Sequence, residues 1–587
     1  MAQFTVVNSA FLASNKSIFD VVMLAGANGG LLSQTTMANG FPISGTSTYL
    51  NAYPPQRMND ALGRVRIAKH QNIYEADFEY GLQPLRWEAF TYNTGAAGAQ
   101  SSITARSDLG GVQMTIGNTA GDTTIRQSRP YQRYQPGKTM FMATAMWFGP
   151  AANGQLQRVG FFDDGNGIFF EQANTVAGTT TGTNNGTGMG VVLRSDVSGL
   201  QYANSTPGQY PFNTDTRIEM SDWNGDKAII NSINWNSIQM MWMEYTWYGA
   251  GCVRWGVFLD GQPYELHRMA MGNKTATSTY LANSSPWART GNLPVRYEQR
   301  NVTNQAGAGA INNMYHFGVS VMVEGGVDPQ RGFTYSYGMS PQTPRRTINA
   351  GVTRYPVLTV QARPMGTQEY GSPGQGITSN SAITSGNSTS ITVTGTPWTA
   401  NQWTGRCIYF SNSSGGKAIA RITSTNATSI TFQDNVLGTA NSTGVPAGLT
   451  GAGNTYIIGQ PNRGQLLPQQ LLVSSDALCV VELIAGSQVN SPVTLSNASF
   501  TPMTSLGSAY SFGTRDVSAN SMSGGEVTMA FTAPAGGSGL QQIDLSNFFP
   551  LYNNIRGSSP DTLTVAVTTS SSAANVGVHI IGQEAMS

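Results

Sequence analysis

Between Gln132 and Phe258 the chain reads as one aromatic strand after another: TMFMATAMWFG (Thr139 to Gly149), RVGFFDD (Arg158 to Asp164), GIFFEQ (Gly167 to Gln172), GVVLRS (Gly190 to Ser195), SIQMMWMEYTWYG (Ser237 to Gly249) and VRWGVFLDG (Val253 to Gly261). Most of these runs are bounded by Gly, Asn, Asp or Pro, and helix-forming periodicity is almost missing between them. Short β-rich runs separated by turn residues are the signature of a β-sandwich. Outward from this stretch, NMYHFGVSVMVEGG (Asn313 to Gly326) and PVLTVQARP (Pro356 to Pro364) continue the pattern. The whole span suits a large jelly roll of a dozen or more strands.

The fold class expected is therefore all-β, with one large jelly-roll sandwich and additional small β domains. At 587 residues the chain exceeds what one hydrophobic core supports, so several domains are expected. Residues 1 to 90 read as an N-terminal arm with attachment strands, including a short helix near Ile18 to Leu24. The sandwich is assigned to 91 to 365. Gly366 to Ser388, mostly Gly, Ser, Thr, Asn and Gln, reads as a linker. A small inserted β domain is assigned to 377 to 460 and a C-terminal β domain to 466 to 587.

Only 11% of residues are charged and the formal net charge is +1, against about 25% charged residues in an average domain. Nucleic-acid binding is disfavoured, because counterion release needs clustered Lys and Arg. Disorder is excluded by 10 Trp, 23 Tyr and 23 Phe. Low charge with many aromatics matches a surface committed to subunit contacts, where charges are depleted and aromatics enriched. No apolar run approaches the roughly 20 residues of a membrane-spanning helix, so no membrane insertion is expected. Without a basic segment followed by an apolar one at the N-terminus, synthesis and assembly in a cytoplasm are expected. Cys252, Cys407 and Cys479 are too scattered for a disulfide framework or a zinc site and read as buried thiols.

Several groups could carry chemistry. Glu75-x-Asp77-x-Glu79 would place three carboxylates on one face of a strand, about 7 Å apart from one to the next, near the spacing of a glycosidase pair. The same three could hold a cation. Alternation with Tyr74, Ala76, Phe78 and Tyr80 favours a solvated or intersubunit face instead. Asp163-Asp164-Gly165-Asn166-Gly167 offers oxygen ligands for calcium, but a hairpin turn explains the same residues and the EF-hand loop is absent. Trp242, Trp247 and Trp255 could form a sugar-stacking platform, or a buried core given Met240, Met241, Met243 and Val253 around them. The four histidines, His70, His267, His316 and His579, pair with nothing at ligand spacing. Neither a nucleophile elbow nor a phosphate loop is present, so no catalytic residue and no cofactor are expected.

Three pieces together resemble virion structural proteins of tailed bacteriophages. Ala61-Leu62-Gly63-Arg64-Val65-Arg66-Ile67 followed by Ile73 to Tyr80 is similar to a glycine-arginine strand pair of that family, with Leu62 for Phe, Ile67-Ala68 for Val-Ser and Tyr74-Glu75 for Phe-Asp. Arg133-Tyr134-Gln135-Pro136-Gly137-Lys138, leading into Arg158 to Asp163 and Gly167 to Glu171, resembles the opening of a concanavalin A-like sandwich in those proteins. The tail, Pro560 to Val565 with Gly582-Gln583-Glu584, is the third piece. The resemblance implies a non-enzymatic, fibre-like or baseplate-associated tail component located in the virion. It also implies a homo-oligomer, expected as a trimer, that docks on other virion structural proteins through its N-terminal region. Two other readings stand beside it: a protein that binds or cleaves host-surface glycan, and a capsid decoration protein.

Overall fold

The computed structural model describes residues 60–61, 70–92, 101–117, 122–152, 154–163, 165–174, 188–195, 215–271, 286–301, 312–326, 332–339, 344–362, 365–366, 377–378, 382–398, 400, 403, 407–411, 417–433, 445, 447–452, 454–461, 464–486, 492–502, 513–536, 540–555 and 560–585. The arm, its Ile18 to Leu24 helix and the Leu62 to Lys69 half of the glycine-arginine pair lie outside the described residues.

Fifteen strands build the first sandwich: β1 (His70–Ala76), β2 (Trp87–Tyr92), β3 (Ser102–Arg106), β4 (Gly111–Ile116), β5 (Thr123–Ser128), β6 (Met140–Trp147), β7 (Gln155–Phe162), β8 (Gly167–Asn174), β9 (Met189–Arg194), β10 (Asp215–Glu219), β11 (Gln239–Tyr245), β12 (Cys252–Leu259), β13 (Gln262–Ala270), β14 (Val295–Asn301) and β15 (Asn312–Glu324). The first sheet runs β13-β12-β11-β6-β15-β4-β3, with β1 also on β15; the second runs β10-β9-β8-β7-β14-β5-β2. Every pairing within them is antiparallel. Period-2 alternation aims Met142, Met241, Met243 and Val321 from one sheet at Val159, Phe161, Phe170, Val191 and Tyr297 from the other, and this core is fully buried. A short helix, α1 (Lys227–Ser232), capped by the Asp226 carboxylate on Ala228 N at 2.9 Å, adds Ile230 to it. The all-β jelly-roll fold class expected above is what the chain adopts.

Long-range pairing moves the domain boundaries. β1 and β2 belong to the sandwich rather than to an attachment segment, because Tyr74, Ala76, Phe78 and Trp87 enter its core. The strands Gly332–Gly338 and Arg346–Ile348 both pair with Ala574–Ala585, and Tyr355–Ala362 pairs with Thr562–Thr569. These three strands therefore leave the sandwich assigned to 91 to 365 and join the C-terminal domain. That domain is itself a sandwich: a five-stranded and a six-stranded sheet enclose Leu358, Val360, Leu471, Val481, Leu483, Val565 and Val578. Inserted within it, from Met365 to Pro461, is a small domain with its own eight-stranded sheet around Trp398, Ile408, Phe410, Ile422, Phe432 and Ile458.

The two sandwiches are locked together by buried contacts. Arg129 Nη2 lies 2.6 Å from Asp561 Oδ1, and the Ile555 amide donates to Glu88 Oε2 at 2.6 Å. Beside these contacts a cleft of about 980 Å³ opens, lined by Tyr74, Arg86, Tyr131, Phe548, Phe549 and Tyr552 among others.

Candidate functional site

The residues expected to carry chemistry do not converge. β1 ends at Ala76, so Glu75 lies on the strand while Asp77 falls past its end and Glu79 in a turn. The three remain exposed and alternate with buried Tyr74, Ala76 and Phe78, but Tyr80 is 87% exposed instead of facing the core. Glu75 accepts from Asn72 Nδ2 at 2.5 Å, and the Asp77 carbonyl accepts from Gln83 Nε2. Among the described residues no three His, Cys, Asp or Glu side chains come together as a metal cage.

Asp163 is buried at the β7–β8 turn. Its Oδ1 accepts from the Gly165 and Asn166 amides at 2.8 Å each, the geometry of a turn held by its own aspartate. Asp164 lies outside the described residues.

The tryptophans separate. Trp242 is buried on the outer face of the first sheet, stacked on Phe141 at 5.8 Å and donating to Val257 O at 3.2 Å. Gly256 makes this possible, because a Cβ there would sit 2.1 Å from the Trp242 ring. Trp255 points the other way, into the core, and Trp247 is half-buried with its indole donating to Ala288 O at 2.8 Å. No shared platform forms from the three.

A charged constellation that sequence reasoning missed lies on the outer face of the second sheet. Arg158 on β7 stands directly opposite Glu171 on β8 and Glu298 on β14, and Asp215 on β10 stands opposite Arg194 on β9. Arg158 Nε reaches Glu171 Oε2 at 2.7 Å and its Nη1 reaches Glu298 Oε1 at 2.8 Å. Arg194 grips Asp215 with two bonds of 2.7 and 2.9 Å. Arg217 Nε holds the other oxygen of Glu171 at 2.8 Å and pairs with Glu219, while Arg296 Nη2 holds Glu298 Oε2 at 2.6 Å. Four arginines thus face four carboxylates, and the lattice is neutral. Gly190 leaves room for it, since a Cβ there would meet the Arg217 guanidinium at 2.6 Å.

Beneath the guanidinium groups lie the paired rings of Phe162 and Phe169, 4.4 Å apart. The Cζ atoms of Arg158, Arg194 and Arg296 stand 5.0 to 5.6 Å above one or both rings. Burial opposes ionisation of Glu298, yet Arg296 and Arg158 hold its carboxyl down to about 2. A working acid–base pair needs one carboxyl kept protonated near neutrality. This face is built the opposite way, with every carboxylate in an arginine's grip.

The outer face of the first sheet carries a smaller group of this kind, Arg254 joined to Glu244 at 2.8 Å and to Glu265 at 2.5 Å over the Trp242 ring, and beside it an aromatic patch. Trp147 on β6 and Tyr315 on β15 are cross-strand partners with ring centroids 5.3 Å apart, both half-exposed. Arg106 on β3 stands 5.8 Å over the Tyr315 ring and is itself paired with Asp108. Beside them Gln113 Nε2 donates to Asn313 Oδ1 at 3.1 Å, and Thr115 Oγ1 donates to the same oxygen at 2.8 Å. The next row adds Met240, 48% exposed.

A scan against protein-family models found no match, and a search of curated proteins found none. Among solved structures, a glycosyl hydrolase family 16 protein from Mycobacterium smegmatis is similar over 43% of this chain and 100% of its own, with 9% identity and a TM-score of 0.27. A pseudo beta-1,3-glucanase of Mycobacterium tuberculosis matches over 43% of this chain and 98% of its own, at 10% identity and a TM-score of 0.27. The carbohydrate recognition domain of Emp46p, potassium-bound form, matches over 43% and 98%, at 8% identity and a TM-score of 0.22. The fold assignment rests on the chain's own two sheets, and no argument about activity is drawn from these likenesses.

Proposed function

We propose that this chain is a non-enzymatic, surface-presenting structural component of a larger assembly, in which its sandwiches serve as scaffold. The observation that carries the reading is the buried lattice around Arg158. Its carboxylates are each gripped by an arginine, and Glu298 is held ionised, the opposite of the protonated acid that glycoside cleavage needs. The finer placement, a fibre-like tail or baseplate component of a bacteriophage virion, is supported by the sequence resemblance of Ala61 to Tyr80, Arg133 to Glu171 and the C-terminal tail. Two experiments test it. Incubation with a panel of polysaccharides should yield no cleavage products by mass spectrometry, and an antibody to the chain should label purified particles at the tail rather than over the capsid. Product release, or particles free of the chain, would refute the reading.

A second reading, glycan recognition without cleavage, is favoured by the Trp147–Tyr315 pair and its flanking amides, since half-exposed aromatic rings beside polar side chains suit a neutral sugar. Binding on a glycan array that disappears in Trp147→Ala would establish it.

A further inference from the structure

The edge strand Glu526–Ala533 of the C-terminal sandwich pairs on one side only, with Cys479–Gly486. Edge strands are commonly protected by charges or proline. Three edges of the first sandwich follow this: β10 carries Asp215, Arg217 and Glu219, β13 carries Glu265, His267 and Arg268, and β3 ends in Arg106. Among the described residues Glu526–Ala533 has no charge or proline after its first residue, and only a bulge at Thr528 interrupts it. Its neighbourhood is apolar and open, with Val480 and Val527 each 40% exposed and Leu540 61% exposed.

The sequence of this edge is a chemical palindrome. Thr528-Met529-Ala530-Phe531-Thr532 reads polar, large apolar, small, large apolar, polar in both directions. We infer that this strand is a two-fold contact between copies of this chain, pairing antiparallel with itself about Ala530. In that register Met529 meets the other copy's Phe531 on each side of Ala530, and the bulge at Thr528 confines the regular pairing to this centre. A two-fold contact needs the same patch to be complementary to itself, which a palindromic strand supplies and a charged edge does not. Thr532 O now accepts from Gln541 Nε2 at a long 3.3 Å, a bond that the incoming strand replaces.

This contact goes beyond the function proposed above and fails separately from it, because copies can associate through this edge whether or not the chain enters a virion. The test uses the full chain and light scattering after size exclusion. The wild type should show an association that Ala530→Lys, which sets two ammonium groups at the symmetry axis, abolishes with unchanged circular dichroism. Under oxidation Ala530→Cys should form a reducible covalent dimer, since directly opposed Cα atoms lie about 4.5–5.5 Å apart, within disulfide reach. Thr104→Cys on the charged edge β3 should not. A wild type that stays monomeric at all concentrations, an association untouched by Ala530→Lys, or equal cross-linking at Thr104 and Ala530 would each overturn the contact.

Discussion

The two outer faces of the first sandwich both bury ion pairs, but in different measure: Arg254 with Glu244 and Glu265 on the first sheet, a lattice of four arginines and four carboxylates on the second. The second sheet collects Arg158, Arg194, Arg217 and Arg296 with Glu171, Asp215, Glu219 and Glu298 into a lattice out of water's reach. The first sheet shows Trp147, Tyr315 and Met240 to the outside, with its amides and the Arg106–Asp108 pair beside them. A low charged fraction therefore does not mean that charge is unimportant. Here buried ion pairs fix the second sheet's face and, through Arg254 with Glu244 and Glu265, part of the first, and aromatic and amide chemistry is left for contact on the rest.

The sharpest way to break this contrast is Arg158→Ala. It leaves Glu171 and Glu298 each short of an arginine inside a buried face, and a loss of about 3–5 kcal/mol is expected by urea denaturation. Replacing Arg158, Glu171 and Glu298 together with apolar residues of similar volume should restore much of that loss, because removing a whole buried group avoids stranded charge.

Next is Trp242→Ala against Trp147→Ala, one ring from the same outer face in each case. The buried Trp242 should cost about 3 kcal/mol or more. The half-exposed Trp147 should cost about 1 kcal/mol, read as a small shift in melting temperature.

Acid should weaken the molecule in two stages. Burial and the positive charge of Lys227 push the His267 imidazole down to about 4, and burial with the Arg126 guanidinium pushes His316 well below its usual range. The folded state holds both rings neutral, so the unfolded chain takes up protons first. Stability contributed by these rings is complete above about pH 6.5 and declines as pH falls through about 4 for His267, by up to ~3 kcal/mol. Below that, the Glu298 contribution, present above its ordinary pKa, is lost as pH falls toward 2. Denaturation midpoints across this range check it; His267→Gln should make the first stage shallower, with the His316 contribution remaining, and leave the second.

Much of the fold was legible in sequence. The six segments quoted first lie on β6, β7, β8, β9, β11 and β12, because strand periodicity and flanking turn residues are local signals. The domain boundary was not legible, since whether Gly332–Gly338 joins the strand before it or Ala574–Ala585 is decided by pairing across more than two hundred residues. The arginine lattice escaped for the same reason. Its members are spread over five strands from Arg158 to Glu298, each looking alone like a solvated charge. A usable signal was present in Arg-x-Glu within VRYEQRN and in Arg158 inside a run of large apolar residues, where a charge in a doubly buried strand demands partners. The sequence left Trp242 open between a sugar platform and a buried core, and the chain buries it on the outer face of the sheet; Trp147, at a strand end beside Phe148, gave no sign of facing outward.

The central claim is that the second sheet's carboxylates are held by arginines, and that Glu298 among them stays ionised near neutrality. An infrared pH titration of the wild type against Glu298→Gln tests it most directly. The account predicts that the two chains show the same protonated-carboxyl signal at every pH above about 5. A carboxyl band that titrates near pH 6 to 7 in the wild type and vanishes in Glu298→Gln would contradict it.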